Sequence, residues 1–422
     1  MNATHKPVTA IIIGAGGRGM TYAQFSQDQP HRLRIVGVAE PREWNRAAMA
    51  ETYDLPAENV VNDWHALAER PRMADAVIIC TQDAMHVEPA VAFAKKGYAI
   101  LLEKPMAPTE EGCRQIIQAV KENNNIFGVC HVMRYTHYTQ ALKSIVDSGA
   151  IGEVVSVQHL EPVGYWHQAH SFVRGNWRNE AESSFMLLAK SCHDLDWLRY
   201  IVGDSCQSVS SFGALTHFKK SEKPAQAGEA TRCLSCAYEP DCPYSAKKIY
   251  LGRLAAGDTG WPVDVLTPEP TLEAVTAALE NGPYGRCVYE CDNDVVDHQV
   301  VNLLFKQGQT ATFTMTAFNR AAPRKTHIFG TRGEIYGDGR SIEIFDFLTD
   351  QTRVIDTEAD GANGTALGGH GGGDYGIMDH FVAAVSENNP SLILSGPDES
   401  LETHLMVFAA ERARRENMVV NL

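Results

Sequence analysis

Three residues are of types that move protons and stand in recognisable motifs. Lys104 lies in Glu103-Lys104-Pro105, while Lys190 and His193 lie in Ala189-Lys190-Ser191-Cys192-His193-Asp194-Leu195-Asp196. An amine or an imidazole can carry the proton a hydroxyl releases when its carbon is oxidised. Lys190 and His193 are three residues apart, a spacing that puts them on one helix face. Taken alone, Lys104 also reads as an exposed loop charge paired with Glu103, and a lone helical histidine as structural. Their chemistry therefore depends on what else the chain positions.

The glycine motif supplies that context. Gly14-Ala15-Gly16-Gly17-Arg18-Gly19 follows the β-branched run over 8–13 and opens a helical stretch. Glycines there permit a tight turn and close approach of a pyrophosphate, which the helix N-terminus attracts. Glu40 stands 21 residues after Gly19, at the end of the next strand, where a carboxylate accepts from ribose hydroxyls. That favours NAD over NADP, whose 2′-phosphate it would repel; Arg42 and Arg46 keep NADP open. Thr81-Gln82-Asp83-Ala84-Met85-His86 and Glu103-Lys104-Pro105 each follow a strand, at the sheet edge where a cofactor is expected. The cofactor set is thus Gly14, Gly16, Gly17, Arg18, Gly19, Glu40, Thr81, His86, Glu103 and Lys104.

The positioning elements are legible as alternating strands and helices. Strands are expected at 8–13, 34–39, 74–80, 98–102 and 126–130, with helices at 42–53, 87–96 and 113–123 between them, the last capped by Thr109. This predicts an α/β chain whose residues 1–133 form a Rossmann domain with a doubly wound parallel sheet. Residues 134–422 are expected to form an α+β domain with a large open mixed or antiparallel sheet. Its strands are placed at 154–161, 287–290, 297–306, 309–319 and 325–330, and its helices at 139–148, 185–200, 375–387 and 399–416. A region of Pro, Cys and charge at about 217–286 reads as an insertion, and 361–373 as a glycine-rich loop. With 422 residues and 44% hydrophobic content, two cores are affordable and wholesale disorder is not expected. Lys+Arg 37 against Asp+Glu 52 gives a net charge of −15, which argues against nucleic acid or an anionic membrane surface as partner. No apolar run is long enough to span a bilayer, and no signal peptide is read, so a cytoplasmic protein is expected.

The glycine motif, Glu40, the Thr81–His86 segment, Glu103-Lys104-Pro105 and the helix with His193 together resemble the Gfo/Idh/MocA family of NAD(P)-dependent sugar oxidoreductases. The resemblance implies a sugar held between the nicotinamide and the second domain's sheet, and a homodimer or homotetramer formed through that sheet. It also implies an Asp-x-Gly-x-His pair on the helix. His193 matches the histidine, but the aspartate position is Ala189, so either Lys190 substitutes or the chemistry differs. Gly368-Gly369-His370-Gly371-Gly372-Gly373 is similar to the glycine–histidine loop of the NAD-dependent glycoside hydrolases of the same superfamily. That branch implies transient C3 oxidation, elimination, water addition and hydride return. Tyr165, Trp166 and His167, with Arg178, fit it too, which makes Tyr165, His167, Arg178 and His370 candidate substrate contacts. Lys190 departs from that branch, where a tyrosine stands.

Two further groups remain. Cys233-x2-Cys236-x5-Cys242 suits a tetrahedral structural zinc, with Cys287 as the first choice of fourth ligand and His217 the second. Three unliganded thiols are the alternative. Strand alternation puts Asp294 and His298 on one face and Asp297 on the other. His298 is then either a substrate contact or a solvated strand-end residue. Tyr165, Trp166 and Trp177 form either a stacking platform or packing beneath the loop. Three functions follow: a sugar or glycoside oxidoreductase, a glycosidase that recycles bound NAD, and a non-catalytic NAD-binding regulator.

Overall fold

The computed structural model describes residues 6–357 and 369–422. Its first sheet is parallel, with strand order β3-β2-β1-β4-β5-β6. These are β1 (Val8–Ile13), β2 (Leu33–Ala39), β3 (Val60–Val61), β4 (Ala76–Ile79), β5 (Ala99–Leu102) and β6 (Phe127–Val129). β4 and β5 are buried along their whole length, as expected of strands covered by helices on both faces. The order reverses between β1 and β4, which opens a crevice at their carboxyl ends. Thr109 caps the helix Glu110–Glu122 by accepting from the Gly112 amide at 3.1 Å. The core on one face of this sheet also takes in Ile377, Met378 and Phe381 of the late helix Gly373–Glu387.

The second sheet has nine strands in the order β14-β13-β12-β11-β7-β10-β9-β8-β15. It is mixed: β7 (Val154–Pro162) and β10 (Thr310–Thr316) run parallel, and the other pairs antiparallel. Of its members, β9 (His298–Phe305) and β11 (Lys325–Gly330) fall close to expectation. β8 (Cys206–Ala214), β12 (Gly333–Gly337), β13 (Ser341–Asp346), β14 (Gln351–Asp356) and β15 (Val420–Asn421) were not expected. The strand expected at 287–290 is a turn instead, closed by the Glu290 amide donating to the Cys287 carbonyl at 3.0 Å.

The helix Met186–Val202 lies on the inner face of this sheet and is buried nearly all round. Leu187, Leu188, Leu195, Trp197 and Leu198 enter the core with Val157, Phe313 and Met315 of the sheet. Each such side chain contributes roughly 1.5–3 kcal/mol by leaving water. The same helix carries Lys190, His193, Asp194 and Asp196, so apolar packing fixes the backbone from which its polar groups project.

Candidate active site

The glycine turn is built where the parallel sheet reverses. Gly14 has φ +89°, and a Cβ there would lie 2.6 Å from the Cys80 carbonyl oxygen. A Cβ on Gly19 would lie 2.1 Å from the Gly14 oxygen, so both positions demand glycine. The first intrahelical bond runs from the Met20 amide to the Gly16 carbonyl, and no side chain caps the helix. The amides of Gly17, Arg18 and Gly19 are therefore free of intrahelical partners and form a cradle for phosphate. Glu40 is 2% exposed and accepts from the Ala15 amide at 2.8 Å and from Arg42 Nε at 2.7 Å. Burial alone would raise its pKa, but the bonds from Arg42 and Ala15 hold the carboxyl below the ordinary range. Arg46 is turned onto the Glu40 and Pro41 carbonyls. This cradle fits a dinucleotide whose ribose meets a carboxylate.

A buried ionic network joins this turn to the two other loops. Arg18 Nε donates to Glu103 at 2.6 Å, and its Nη2 donates to Asp374 at 2.5 Å. Tyr22 hydroxyl donates to the same Glu103 oxygen at 2.8 Å, and His370 Nδ1 lies 3.1 Å from Asp374. Burial pushes the Glu103 and Asp374 carboxyls up; Arg18 opposes it on both, His370 also on Asp374, and both end below their usual range. His370 thus sits beside the glycine turn, with φ +51°. The remainder of the glycine loop over 361–368, Gly368 included, lies outside the described residues. His86 is fully buried between two carbonyls, 2.8 Å from that of Pro105 and 3.1 Å from that of Thr81. It holds the Thr81 and Pro105 segments together. Thr81 Oγ1 donates to the Met85 carbonyl at 3.2 Å.

Lys104 crosses from the first sheet to the second. Its Nζ donates to the Ala189 carbonyl at 2.7 Å, one turn before His193 on the same helix face. Lys190 Nζ pairs with Glu161 of β7 at 2.8 Å, and both are largely buried. Arg324, just before β11, gathers the rest. Its Nε donates to Asp194 at 2.5 Å, and its Nη2 lies 2.8 Å from His193 Nε2 and 3.0 Å from Glu161. Asp194 is fully buried and also lies 3.2 Å from His159 Nε2. Burial would raise its pKa, yet Arg324 and His159 hold it well below the usual carboxylate range. His167 is pushed well below its usual pKa by burial and by the charges of Lys190 and His170.

Arg178 and His298 are engaged by other partners. Arg178 Nε and Nη2 grip Asp292 at 3.1 and 3.0 Å and Nη2 also reaches Glu182, so it closes an ion-pair cluster. His298 pairs across the sheet with Thr316, whereas Met315, which touches Ser191 of the site helix, pairs with Gln299. His298 is therefore on the outer face, bonded at 2.9 Å to Asp297, its own neighbour. Asp297 accepts from the Thr216 and His217 amides, which explains its position at a bend before the strand. Asp294 accepts from the Glu180 amide at 2.9 Å. Tyr165 is 40% exposed, and Trp166 packs on Trp261 at 5.2 Å. Trp261, from the insertion, also meets His167 at 4.9 Å and carried no signal in the sequence. Glu161, Asp194, Arg324, Tyr22 and Asp374 were given no role either; Asp194 lies within a motif that was read, and Asp374 directly follows one.

The zinc expectation finds no support in the side-chain placement. Cys233, Cys236, Cys242 and Cys287 do line one cavity. Among the described residues, however, no group of three or more His, Cys, Asp or Glu side chains is placed to hold a metal ion. His217 instead lies 3.1 Å from the Tyr289 hydroxyl. The cavity wall also contains a cation of its own. Arg174, 1% exposed, donates to Cys233 Sγ at 3.4 Å and to the Tyr244 and Arg286 carbonyls at 2.8 Å each.

Residues 8–131 match the Gfo/Idh/MocA model described as an oxidoreductase family with an NAD-binding Rossmann fold, and residues 143–422 match its C-terminal alpha/beta domain. The chain is 27% identical over 208 residues to 2,7-anhydro-N-acetylneuraminate hydratase of Mediterraneibacter gnavus, covering 49% of this chain and 53% of that protein. It is 29% identical over 217 residues to inositol 2-dehydrogenase of Pseudomonas savastanoi pv. phaseolicola, covering 49% and 60% respectively. The chain spans about half the length of the curated relatives it matches. The solved structure of levoglucosan dehydrogenase with NADH superposes with a TM-score of 0.71 at 19% identity over 99% of both chains, a likeness of fold. With both halves of the chain matched, the protein belongs to the Gfo/Idh/MocA oxidoreductase family.

Proposed function

We propose that the protein is an NAD-dependent oxidoreductase that moves a hydride between the nicotinamide and a hydroxyl-bearing carbon of a sugar or glycoside. One observation carries this reading. Lys104, at the carboxyl edge of the cofactor sheet, bonds the Ala189 carbonyl of the helix that presents Lys190 and His193. Proton-moving groups would thereby stand at the mouth of the dinucleotide cradle. Gly14, Gly16–Gly19, Glu40 and Thr81 would hold NAD, which when bound takes up or returns the hydride. In the reducing direction the Lys104 ammonium gives its proton to the substrate oxygen. Lys190, on the same helix as His193, is held by its ion pair with Glu161. Tyr165, His167 and His370 would meet the substrate.

A second reading is favoured by the missing aspartate at Ala189 and by the hydratase among the relatives. In it the hydride returns to the same molecule after elimination and water addition, so a glycoside is cleaved without net redox change. Incubation with NAD and a panel of free sugars and glycosides separates the two. NADH accumulation supports the first; aglycone release without NADH supports the second. Lys104→Met is expected to lower either rate by about 10²–10⁴-fold. If no member of the panel gives either signal while NAD binds, the carbohydrate assignment fails.

Two properties extend the proposal. The outer face of the second sheet exposes Phe212 and Tyr336, at 61% and 46%. A second copy covering it would give a homodimer or homotetramer. All ten cysteines are unpaired, which suits a reducing, cytoplasmic setting. No helix among the described residues is long and apolar enough to cross a membrane.

A further inference from the structure

His193 has two ring nitrogens in unlike surroundings. Nε2 lies 2.8 Å from Arg324 Nη2. A guanidinium only donates, so Nε2 must present its lone pair. The nearest carboxylate oxygen to Nε2, Asp194 Oδ2, is 3.5 Å away and accepts from Arg324 itself. Nδ1 is buried and has no hydrogen-bond partner. Buried polar atoms are nearly always paired, so one left open beside two donors marks a place for an atom the chain itself does not supply. Lys104 Nζ stands one turn away on the same face, and Lys190 three residues back. Both are donors. A third donor beside them completes a set that calls for an acceptor.

We infer that His193 is a fixed neutral hydrogen-bond donor through Nδ1–H to the reacting oxygen of the substrate, that Arg324 imposes this tautomer, and that the transferred proton travels through Lys104 and not through His193. The inference rests on the proposed carbonyl–alcohol chemistry for its substrate but not for its tautomer. In the reducing direction a nicotinamide, if bound in reduced form, would supply the hydride that the carbonyl carbon accepts. The C=O π pair moves to oxygen, and that oxygen takes a proton from the Lys104 ammonium, leaving the amine. Nδ1–H donates throughout and keeps its proton. Charged groups facing the ring come from four elements: Asp194 and Lys190 on its own helix, Arg324 before β11, Lys104 after β5 and Glu161 on β7. Burial, together with Arg324, Lys104 and Lys190, keeps the imidazole neutral well below its usual pKa, although Asp194 pulls the other way.

The test has two arms. The first needs no substrate: full-length protein with ¹⁵N-labelled histidine, assigned through His193→Asn, is followed by two-bond ¹H–¹⁵N correlation. A protonated Nδ1 and an unprotonated Nε2 are expected across neutral pH. Arg324→Lys, which preserves the charge, should redistribute the proton between the nitrogens. A protonated Nε2 or an imidazolium in the unmodified protein overturns the inference, whatever sugar is or is not turned over. The second arm uses whichever sugar the panel identifies. Asparagine places an amide N–H near the Nδ1 position. His193→Asn should therefore keep kcat within about tenfold, while His193→Ala loses about 10²–10³-fold, the usual cost of one donor at a developing charge. Equal loss in both variants would make His193 the proton carrier and overturn the inference. A panel without turnover, alongside the expected tautomer, would count against the carbohydrate reading alone.

Discussion

Glu40 accepts from one backbone amide of the glycine turn and from three nitrogens of Arg42. The pair makes cofactor choice a matter of charge. With the carboxylate present, Arg42 is neutralised and a 2′-phosphate meets a negative group; without it, Arg42 is released to a phosphate. Glu40→Gln should weaken NADH binding about tenfold and strengthen NADPH binding, moving the ratio of dissociation constants by about 100-fold, or ~2.8 kcal/mol. Fluorescence titration with each nucleotide measures this. Equal weakening of both would reduce Glu40 to a support for the turn. Residues of this kind were legible because their signal is local: Gly14, Gly16, Gly19 and Glu40 lie within one strand–helix–strand unit. Asp374 and Arg324 were not. Asp374 meets Arg18 across 356 residues and Arg324 meets His193 across 131, and no spacing rule spans such distances.

Elements differ in how strongly they announce themselves. β1 and β4 are continuous apolar runs buried on both faces, which is why they were placed to within two residues. β14 is exposed along nearly its whole length, and β8 is interrupted by serines and a glycine, so neither shows a clear alternation. The segment 287–290 has strand composition but is held as a turn beside the insertion. Arg174 is the tie between that insertion and the site domain. It leaves the π-helical segment Gln168–Arg174 to bond the carbonyls of Tyr244 and Arg286, both in the insertion. Leucine fills similar space but leaves the Tyr244 carbonyl without its donor and the Arg286 carbonyl with only the weak Cys233 thiol, at about 1–3 kcal/mol each. Arg174→Leu should therefore lower unfolding free energy by roughly 2–5 kcal/mol in urea titration, with new proteolytic cuts within 217–286. An unchanged midpoint and digestion pattern would show that the insertion is held without it.

At the scale of the whole molecule, the two sheets are locked by buried polar ties. Arg134 grips Asp196 at 2.6 and 2.7 Å, Thr403 adds a bond at 2.9 Å, and the Met106 amide donates to His404 Nε2 at 2.8 Å. His404 Nδ1 in turn donates to the Ser400 carbonyl at 2.7 Å, so the native ring must be neutral. Burial, against the pull of Ser400 and Asp196, lowers its pKa to about 4; burial likewise lowers His131 and His170 to about 3 each. In the unfolded chain each would titrate near ~6.5. As pH falls below that value the unfolded state gains protons that the native state refuses, and stability declines. Each such histidine contributes a slope of up to ~1.4 kcal/mol per pH unit, until its native pKa is reached. The carboxylates Asp196, Asp374 and Glu103, held below their usual range, keep their contribution until pH drops beneath about 4. Acid sensitivity should therefore begin in the histidine window, between pH ~6.5 and ~4, before these three carboxylates protonate. Glutamine at 404 keeps an acceptor for Met106 and cannot titrate. Urea midpoints for His404→Gln between pH ~6 and ~5 should show the slope reduced by ~1.4 kcal/mol per unit. An unaltered slope would mean that His404 takes up its proton in the native state, and that the lock between the sheets tolerates a charge at its centre.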